Sequence, residues 1–472
     1  MHRIAGLALY IVGIAVLAIP VSFAIAQEPP RFVKIQIDPA AVIGKVPDDF
    51  VGFGYETSAV AQPSFFAAKN AQMIRLYGNL GRQGLIRIGG NVSDHTRFVA
   101  NGTAAAKTER EVTIINQTSL TDLADFSRAT GWKVMWGLNL GTGSKEEAVE
   151  EAIAVDAALG TQLHSFEIGN EVDLMRKFSK DFDAYHAAYL EYKAAIRARL
   201  PRAAFSGPDS ASSLPFVEKF VAAESADMRL ATHHYYRTSA RNADATIEHL
   251  LARDEAFDAR LIALHKLTAD RHLDYRINEV NSFFGGGKDG VSNTYASALW
   301  CLDYMFNLAA HGCSGVNMET DINQLGFISH YSPIIHDANG DCSARPEYYG
   351  MLVFAMAGHG QLIKATIEKT NLNLTAYATK ATDGAIFVTV INKDLTRDAA
   401  IELAMPAGVN RIEAHRLTAP SIEAKDGVRF ANAVVAENGS WNSGLAEVIA
   451  FSADSANPIV PHASAIVLKL SK

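Results

Sequence analysis

The sequence predicts an α/β protein, a (β/α)8 TIM barrel carrying a C-terminal antiparallel β-sandwich. Three observations predict it. Eight short apolar runs alternate with helical patterns from about residue 49 to 360. Helical spacing stops after about residue 361 and short alternating segments replace it. The 472 residues also exceed what one minimal core requires, so a large unit and a smaller one are expected.

The eight runs are Val51–Glu56, Leu85–Gly90, Trp132–Leu140, His164–Glu171, Ala204–Asp209, Met228–Tyr236, Tyr275–Ser282 and Gly315–Thr320. Between them, stretches such as Phe182–Leu200 and Tyr295–Ala310 repeat apolar residues at three- and four-residue spacing. Eight β-then-α units are what a closed parallel barrel requires. The runs read as apolar on both faces, as strands between a barrel interior and a helix ring should.

The later segments are Leu374–Thr379, Ala385–Ile391, Ala400–Ala404, Ala446–Phe451 and Ala465–Leu470. Asp383-Gly384 between the first two is a hairpin signal. Regular strand spacing with turn residues reads as a sandwich. Phe32–Ile37 alternates too and is expected to add an edge strand to it. The predicted organisation is therefore a leader over 1–26, a joining strand within 27–48, a catalytic barrel over 49–360 and a β-sandwich over 361–472.

The leader combines His2 and Arg3, an apolar run from Ile4 to about Ala24, and the small-x-small pattern Ala24-Ile25-Ala26. That is the form of a cleaved signal peptide, with an uncleaved anchor as the alternative, and predicts a secreted or periplasmic protein. No other segment is apolar enough to cross a membrane. The formal net charge of −8 gives no general affinity for nucleic acid or anionic membranes. Three cysteines, Cys301, Cys313 and Cys342, cannot make a disulfide framework and have no metal-ligand spacing. Cys313 and Cys342 stay open to pairing or to two buried thiols.

In such a barrel, chemistry sits where strands end and loops begin. The fourth run ends Phe166-Glu167-Ile168-Gly169-Asn170-Glu171 and the seventh ends Ile277-Asn278-Glu279-Val280. Each delivers a carboxylate to the barrel mouth, from strands lying across it. Glycoside hydrolysis needs two such groups flanking an anomeric carbon, about 5–5.5 Å apart for retention. Glu171 and Glu279 are the candidate pair. Glu167, earlier in its strand, should point deeper or sideways, and Glu319 on the eighth run reads as a supporting acid.

Five motifs in register then give a resemblance: Arg87-Ile88-Gly89-Gly90-Asn91, Gly169-Asn170-Glu171, His233-His234-Tyr235-Tyr236, Asn278-Glu279 and Phe284-Gly285-Gly286-Gly287. The chain resembles family 79 of the glycoside hydrolases, which holds β-glucuronidases and heparanases, and within it the bacterial exo-β-glucuronidases. The resemblance covers the whole barrel and fits the trailing β-domain. It implies a retaining double displacement without cofactor or metal, with Glu171 as acid/base and Glu279 as nucleophile. It implies further that Asn170 contacts the sugar 2-hydroxyl and that His233 and Tyr235 line the nucleophile. Glu56 and Asp94 would bind hydroxyls at the far end of the sugar. Phe284, Gly285, Gly286 and Tyr331 would hold its C5 carboxylate. Consecutive glycine amides can form an anion-binding nest, which is a physical reason for that loop. Phe284 stands where heparanases tend to carry Tyr, one hydroxyl fewer. Arg87 is expected to be buried and paired with a mouth carboxylate.

The implied partner is a carbohydrate bearing glucuronic acid. Basic residues near the motifs are sparse (Arg97, Arg176, Lys177, Arg237, Lys288), which favours one terminal glucuronosyl residue over a sulfated chain. The alternatives are an endo-β-glucuronidase acting on glycosaminoglycan, a non-catalytic carbohydrate-binding barrel, and a metal-dependent hydrolase. The last would need more ligands than His233 and His234 supply.

Overall fold

Runs buried on both faces, such as Leu85-Ile86-Arg87-Ile88-Gly89, can satisfy their backbone only by pairing on both sides with strands that are themselves covered. In the computed structural model, which describes residues 31–178, 181–452 and 454–472, they do so in a ring. The barrel strands in chain order are Gly52–Glu56, Leu85–Gly89, Lys133–Leu138, Leu163–Ile168, Ser206–Ser210, Leu230–Ser239, Tyr275–Phe284 and Val316–Glu319. Around the sheet they run fourth, third, second, first, eighth, seventh, sixth, fifth, and every pairing is parallel. A single parallel bridge, Phe166 with Phe205, closes the remaining gap between fourth and fifth.

The helices between them begin and end where local chemistry dictates. Ser144 and Glu147 form a reciprocal capping box at the start of Lys145–Leu159. Gln117–Thr130 starts on the Asn116 side chain and ends at Gly131, whose φ of +83° closes the helix. The predicted fourth strand stops short, at Ile168. Gly169 takes φ +83° and turns the chain, so Glu171 sits on a loop and not on the strand.

The barrel interior is more polar than its runs suggested. Arg276 lies near its N-terminal end, donating to the carbonyls of Asp49, Phe50 and Val316 and to Asn317 Oδ1. Asn317 in turn donates to Phe53 and Leu85. Arg87 occupies the other end. The apolar packing lies between strands and helices, where Phe53, Tyr77 and Trp132 meet with centroids 4.5–5.6 Å apart.

Apart from two short two-stranded sheets, Thr96–Phe98 with Thr113–Ile115 and Ile334–His336 with Cys342–Ala344, the remaining strands belong to one mostly antiparallel sheet around a separate apolar core including Val33, Ile363, Val388, Ile401 and Ile466. Leu374–Lys380 and Ile386–Asn392 pair as a hairpin across Asp383-Gly384. The N-terminal strand Arg31–Val46 corrects the expectation of an edge. It lies inside the sheet, antiparallel to Gly360–Ile367 and parallel to Ala399–Ala404. The segment predicted at Ala446–Phe451 pairs only through Glu447–Val448 and an isolated bridge at Phe451. All three cysteines are free and buried, so Cys313 and Cys342 do not pair. The leader lies outside the described residues. Among the described residues no helix is long and apolar enough to cross a membrane.

A buried ion pair ties this sheet to the barrel. Lys393, almost fully buried, bonds Asp303 on helix Tyr295–Ala310, and Asp303 also accepts from Thr375 and Tyr377. Asp303→Ala leaves the lysine charge buried and alone. It should lower unfolding free energy by about 3–5 kcal/mol, read from denaturant midpoints, and the added change Lys393→Met should recover most of that loss.

Candidate active site

The C-terminal ends of the barrel strands surround a cavity of about 830 Å³. Its floor is organised by one side chain. Arg87, fully buried on the second strand, donates Nη1 to Glu279 Oε2 at 2.7 Å and Nε to Glu167 Oε2 at 3.2 Å. Its Nη2 donates to Asp209 at 3.0 Å and to Asn170 Oδ1 at 2.6 Å. Asn278 bridges the same acids from below, giving Nδ2 to Glu167 and Asp209. Against burial, which alone would raise it, Arg87 and His234 hold Asp209 below the ordinary carboxylate value. Glu167 is pushed well up by burial and by Asp209. It lies beneath the cavity and does not line it.

Glu171 and Glu279 meet above this layer. An oxygen of each, together with a ring nitrogen of His234, lies within a 4.8 Å set. Glu171 reaches the cavity through a strained backbone, with φ +46° directly after Gly169 and Asn170. His234 Nδ1 stands 3.3 Å from Glu171 Oε1 and 3.6 Å from Glu279 Oε2. Tyr236 donates its hydroxyl to Glu279 Oε1 at 3.0 Å. Glu279 thus accepts from a cation on one oxygen and a phenol on the other. The Glu171 carboxyl is raised, first by burial and then by the Glu279 charge, with His234 opposing. The three groups could also offer ligands to a cation, though Arg87 already occupies the Glu279 oxygen nearest His234.

Strand alternation corrects two expected contacts. His233 and Tyr235 point to the outer face of the sixth strand, because successive side chains alternate. His233 Nδ1 lies 2.8 Å from the Ser210 carbonyl oxygen, with Arg260 at its other nitrogen. Tyr235 donates to Asp254 at 2.6 Å and packs against Phe257 and Tyr304. Their neighbours His234 and Tyr236 face the pair instead; Glu279 and His234 are register partners. Asp94 is also committed elsewhere. It accepts from the backbone amides of Leu140, Gly141 and Asn170, and burial raises it to about 7. It holds the Glu171 loop and lines a smaller cavity beside it. Asn170 adjoins Glu171 with its oxygen taken by Arg87 and its nitrogen donating to Asn91.

Glu56, Phe284, Gly285, Gly286 and Tyr331 line the main cavity. Glu56 accepts from the amides of Asn91 and Val92, and burial and Glu319 push it well up. Gly285, Gly286 and Gly287 all take positive φ, between +74° and +88°. A Cβ on Gly286 would meet Phe327 at 2.8 Å, so glycine is required there on two counts. Arg110 and Arg241 line the outer cavity and escaped sequence reading. Of the basic residues that reading named, Lys177 is turned to the Leu140 carbonyl and Arg237 to Asp254.

No family model matches the chain. It is 24% identical to a β-glucuronidase of Aspergillus niger over 419 residues, 77% of this chain and 74% of that protein. It is 23% identical to a β-glucuronidase of Neurospora crassa over 372 residues, 68% of this chain and 66% of that one. Among solved structures, a 4-O-α-L-rhamnosyl-β-D-glucuronidase from Fusarium oxysporum superimposes with a TM-score of 0.76 at 18% identity, covering 93% of this chain and all of that one. A family 51 α-L-arabinofuranosidase from Bifidobacterium longum gives 0.69 at 14% identity, covering 94% and 100%. At these identities the solved structures establish a shared fold.

Removing the central cation tests the electrostatics directly. Arg87→Met leaves the buried Asp209 without its main counter-charge and should cost about 3–5 kcal/mol of stability at neutral pH. The deficit should narrow as pH falls and Asp209 protonates, a trend read from thermal melts across pH.

Proposed function

We propose that this glycoside hydrolase belongs with family 79 and cleaves terminal β-D-glucuronosyl residues with retention of configuration. The observation that carries the reading is the approach of Glu171 and Glu279, with oxygens within 4.8 Å across the barrel mouth. Retaining enzymes hold their carboxyl groups about 5–5.5 Å apart, whereas inverting ones leave a wider gap for water. The two named β-glucuronidases, matched over most of this chain, support the sugar.

In this mechanism Glu279 attacks the anomeric carbon while Glu171 protonates the departing oxygen. Arg87 and Tyr236 each donate to one Glu279 oxygen and hold the carboxyl in place for attack. A covalent glycosyl-enzyme forms as the C–O bond to the aglycone breaks; Glu171 then takes a proton from water as that water attacks the same carbon, and the ester bond to Glu279 breaks to release the sugar and free the Glu279 carboxylate. Burial, more than the Glu279 charge that sequence reasoning favoured, raises Glu171 toward the protonated form an acid catalyst needs. The cavity lining carries five acids (Glu56, Glu109, Glu171, Glu279, Glu319) against two bases (Arg110, Arg241). That balance favours one terminal uronate over a sulfated polyanion and supports exo action. The N-terminal leader supports export.

Glu279→Gln should reduce hydrolysis of aryl β-glucuronides at least a thousandfold. Glu171→Ala should keep a fast first step with good leaving groups, stall afterwards, and yield β-glucuronosyl azide when azide is supplied. An α-configured first product, seen by NMR, would overturn the reading. Tyr236→Phe should lower kcat/KM by about tenfold, one hydrogen bond to a charged group, while Tyr235→Phe leaves it near the parent value. kcat/KM should decline on the alkaline side as Glu171 deprotonates, since a raised carboxyl keeps its proton to higher pH.

A further inference from the structure

Glu319 closes the eighth barrel strand and lines the main cavity, yet it is only 2% exposed and neither carboxyl oxygen has a hydrogen-bond partner. Two buried oxygens left empty are costly unless something arrives to fill them. The fold makes deliberate room for them. Glu319 pairs with Gly54, and a Cβ at Gly54 would collide with Glu319 Oε2. Asn281 Nδ2 donates to the backbone carbonyls of both Glu319 and Tyr331, which fixes these two residues side by side. A Cβ on Gly287 would meet the Tyr331 amide at 2.9 Å, so the glycine loop closes the same corner.

The charged neighbours decide which form Glu319 takes. Glu56 faces it from the first strand, Arg87 from the second, Glu171 from the loop after the fourth, Tyr236 from the sixth and Glu279 from the seventh. Asp321 and Tyr331 face it from beyond its own strand. Arg87 is the one cation in this set, and its guanidinium is already spent on Glu167, Asp209 and Glu279. Burial and the Glu279 charge push the Glu319 carboxyl well above the ordinary value, with Arg87 opposing. A neutral carboxyl is a hydrogen-bond donor, whereas an ionised one would repel an anionic sugar.

We propose that Glu319 selects the substrate, its carboxyl donating a hydrogen bond to the C5 carboxylate of the uronosyl residue held at Glu279. The inference rests on the glucuronide reading and deepens it. Gly285, Gly286 and Tyr331 line the same cavity as Glu319, whose proton supplies a donor to it. The preference for an acidic sugar therefore depends on pH. It is full while Glu319 holds its proton and is lost as pH rises through the raised titration.

The test compares kcat/KM for nitrophenyl β-glucuronide and nitrophenyl β-glucoside across pH. The ratio removes effects common to both sugars, and the Glu319 variants separate its titration from those of Glu56 and Asp321, which are also raised beside it. The parent ratio should favour the glucuronide on the acid side and fall by about tenfold on the alkaline side, the size of one charge-assisted hydrogen bond. Glu319→Gln keeps a donor that cannot ionise, so its ratio should stay flat with pH. Glu319→Ala should show the low ratio throughout. The role fails if the Gln variant declines along the parent limb, or if the Ala variant keeps the parent ratio. A parent enzyme with no preference for the glucuronide at any pH would instead overturn the substrate reading, and this inference with it.

Discussion

Everything at the barrel mouth depends on one buried guanidinium. Arg87 draws acids from the fourth, fifth and seventh strands toward a single planar fork, and fixes Asn170 with the same group that holds Asp209. A charge of this kind is expensive to bury and is tolerated only because several carboxylates compensate it. Its geometry is therefore over-determined, and the Glu279 carboxyl above inherits that rigidity. Tyr236 fixes the other oxygen of Glu279, and the Asp94 carboxylate pins the loop that presents Glu171. The two carboxyls are thereby held close together over one cavity.

The acids around the cavity divide by what compensates them. Asp209 has Arg87 and His234 close by and is held low. Glu171, with only His234 opposing, and Glu56 and Glu319 are raised, with burial the first cause in each. One site thus holds an acid kept low by its cations beside acids that burial raises. That division is what acid/base chemistry on a sugar requires.

Much of this was legible in the residues. All eight barrel strands lie within a few residues of the apolar runs, because strands buried on both faces must be continuously apolar at their covered positions. Glu171 and Glu279 were legible because a barrel delivers strand ends to one face. His234 and Tyr236 were not. In His233-His234-Tyr235-Tyr236 the residue types repeat in pairs, so composition cannot tell which parity faces inward, and a shift by one exchanges the faces. Asp94 was misassigned for a related reason. A short acid near a strand end serves a sugar hydroxyl and a loop amide equally well, and only the path of the loop over Leu140 and Gly141 decides between them.

The sequence by itself determined the order of elements, the barrel and its trailing sheet, and the two carboxylates that meet, since periodicity and strand-end position are local properties carried by each segment. Tertiary structure alone decided the rest: which face of the sixth strand looks inward, that the N-terminal strand lies within its sheet, and that Glu319 remains without a partner. Those outcomes depend on strand register and on which buried groups are left for one another after the backbone is satisfied, and no single segment encodes either.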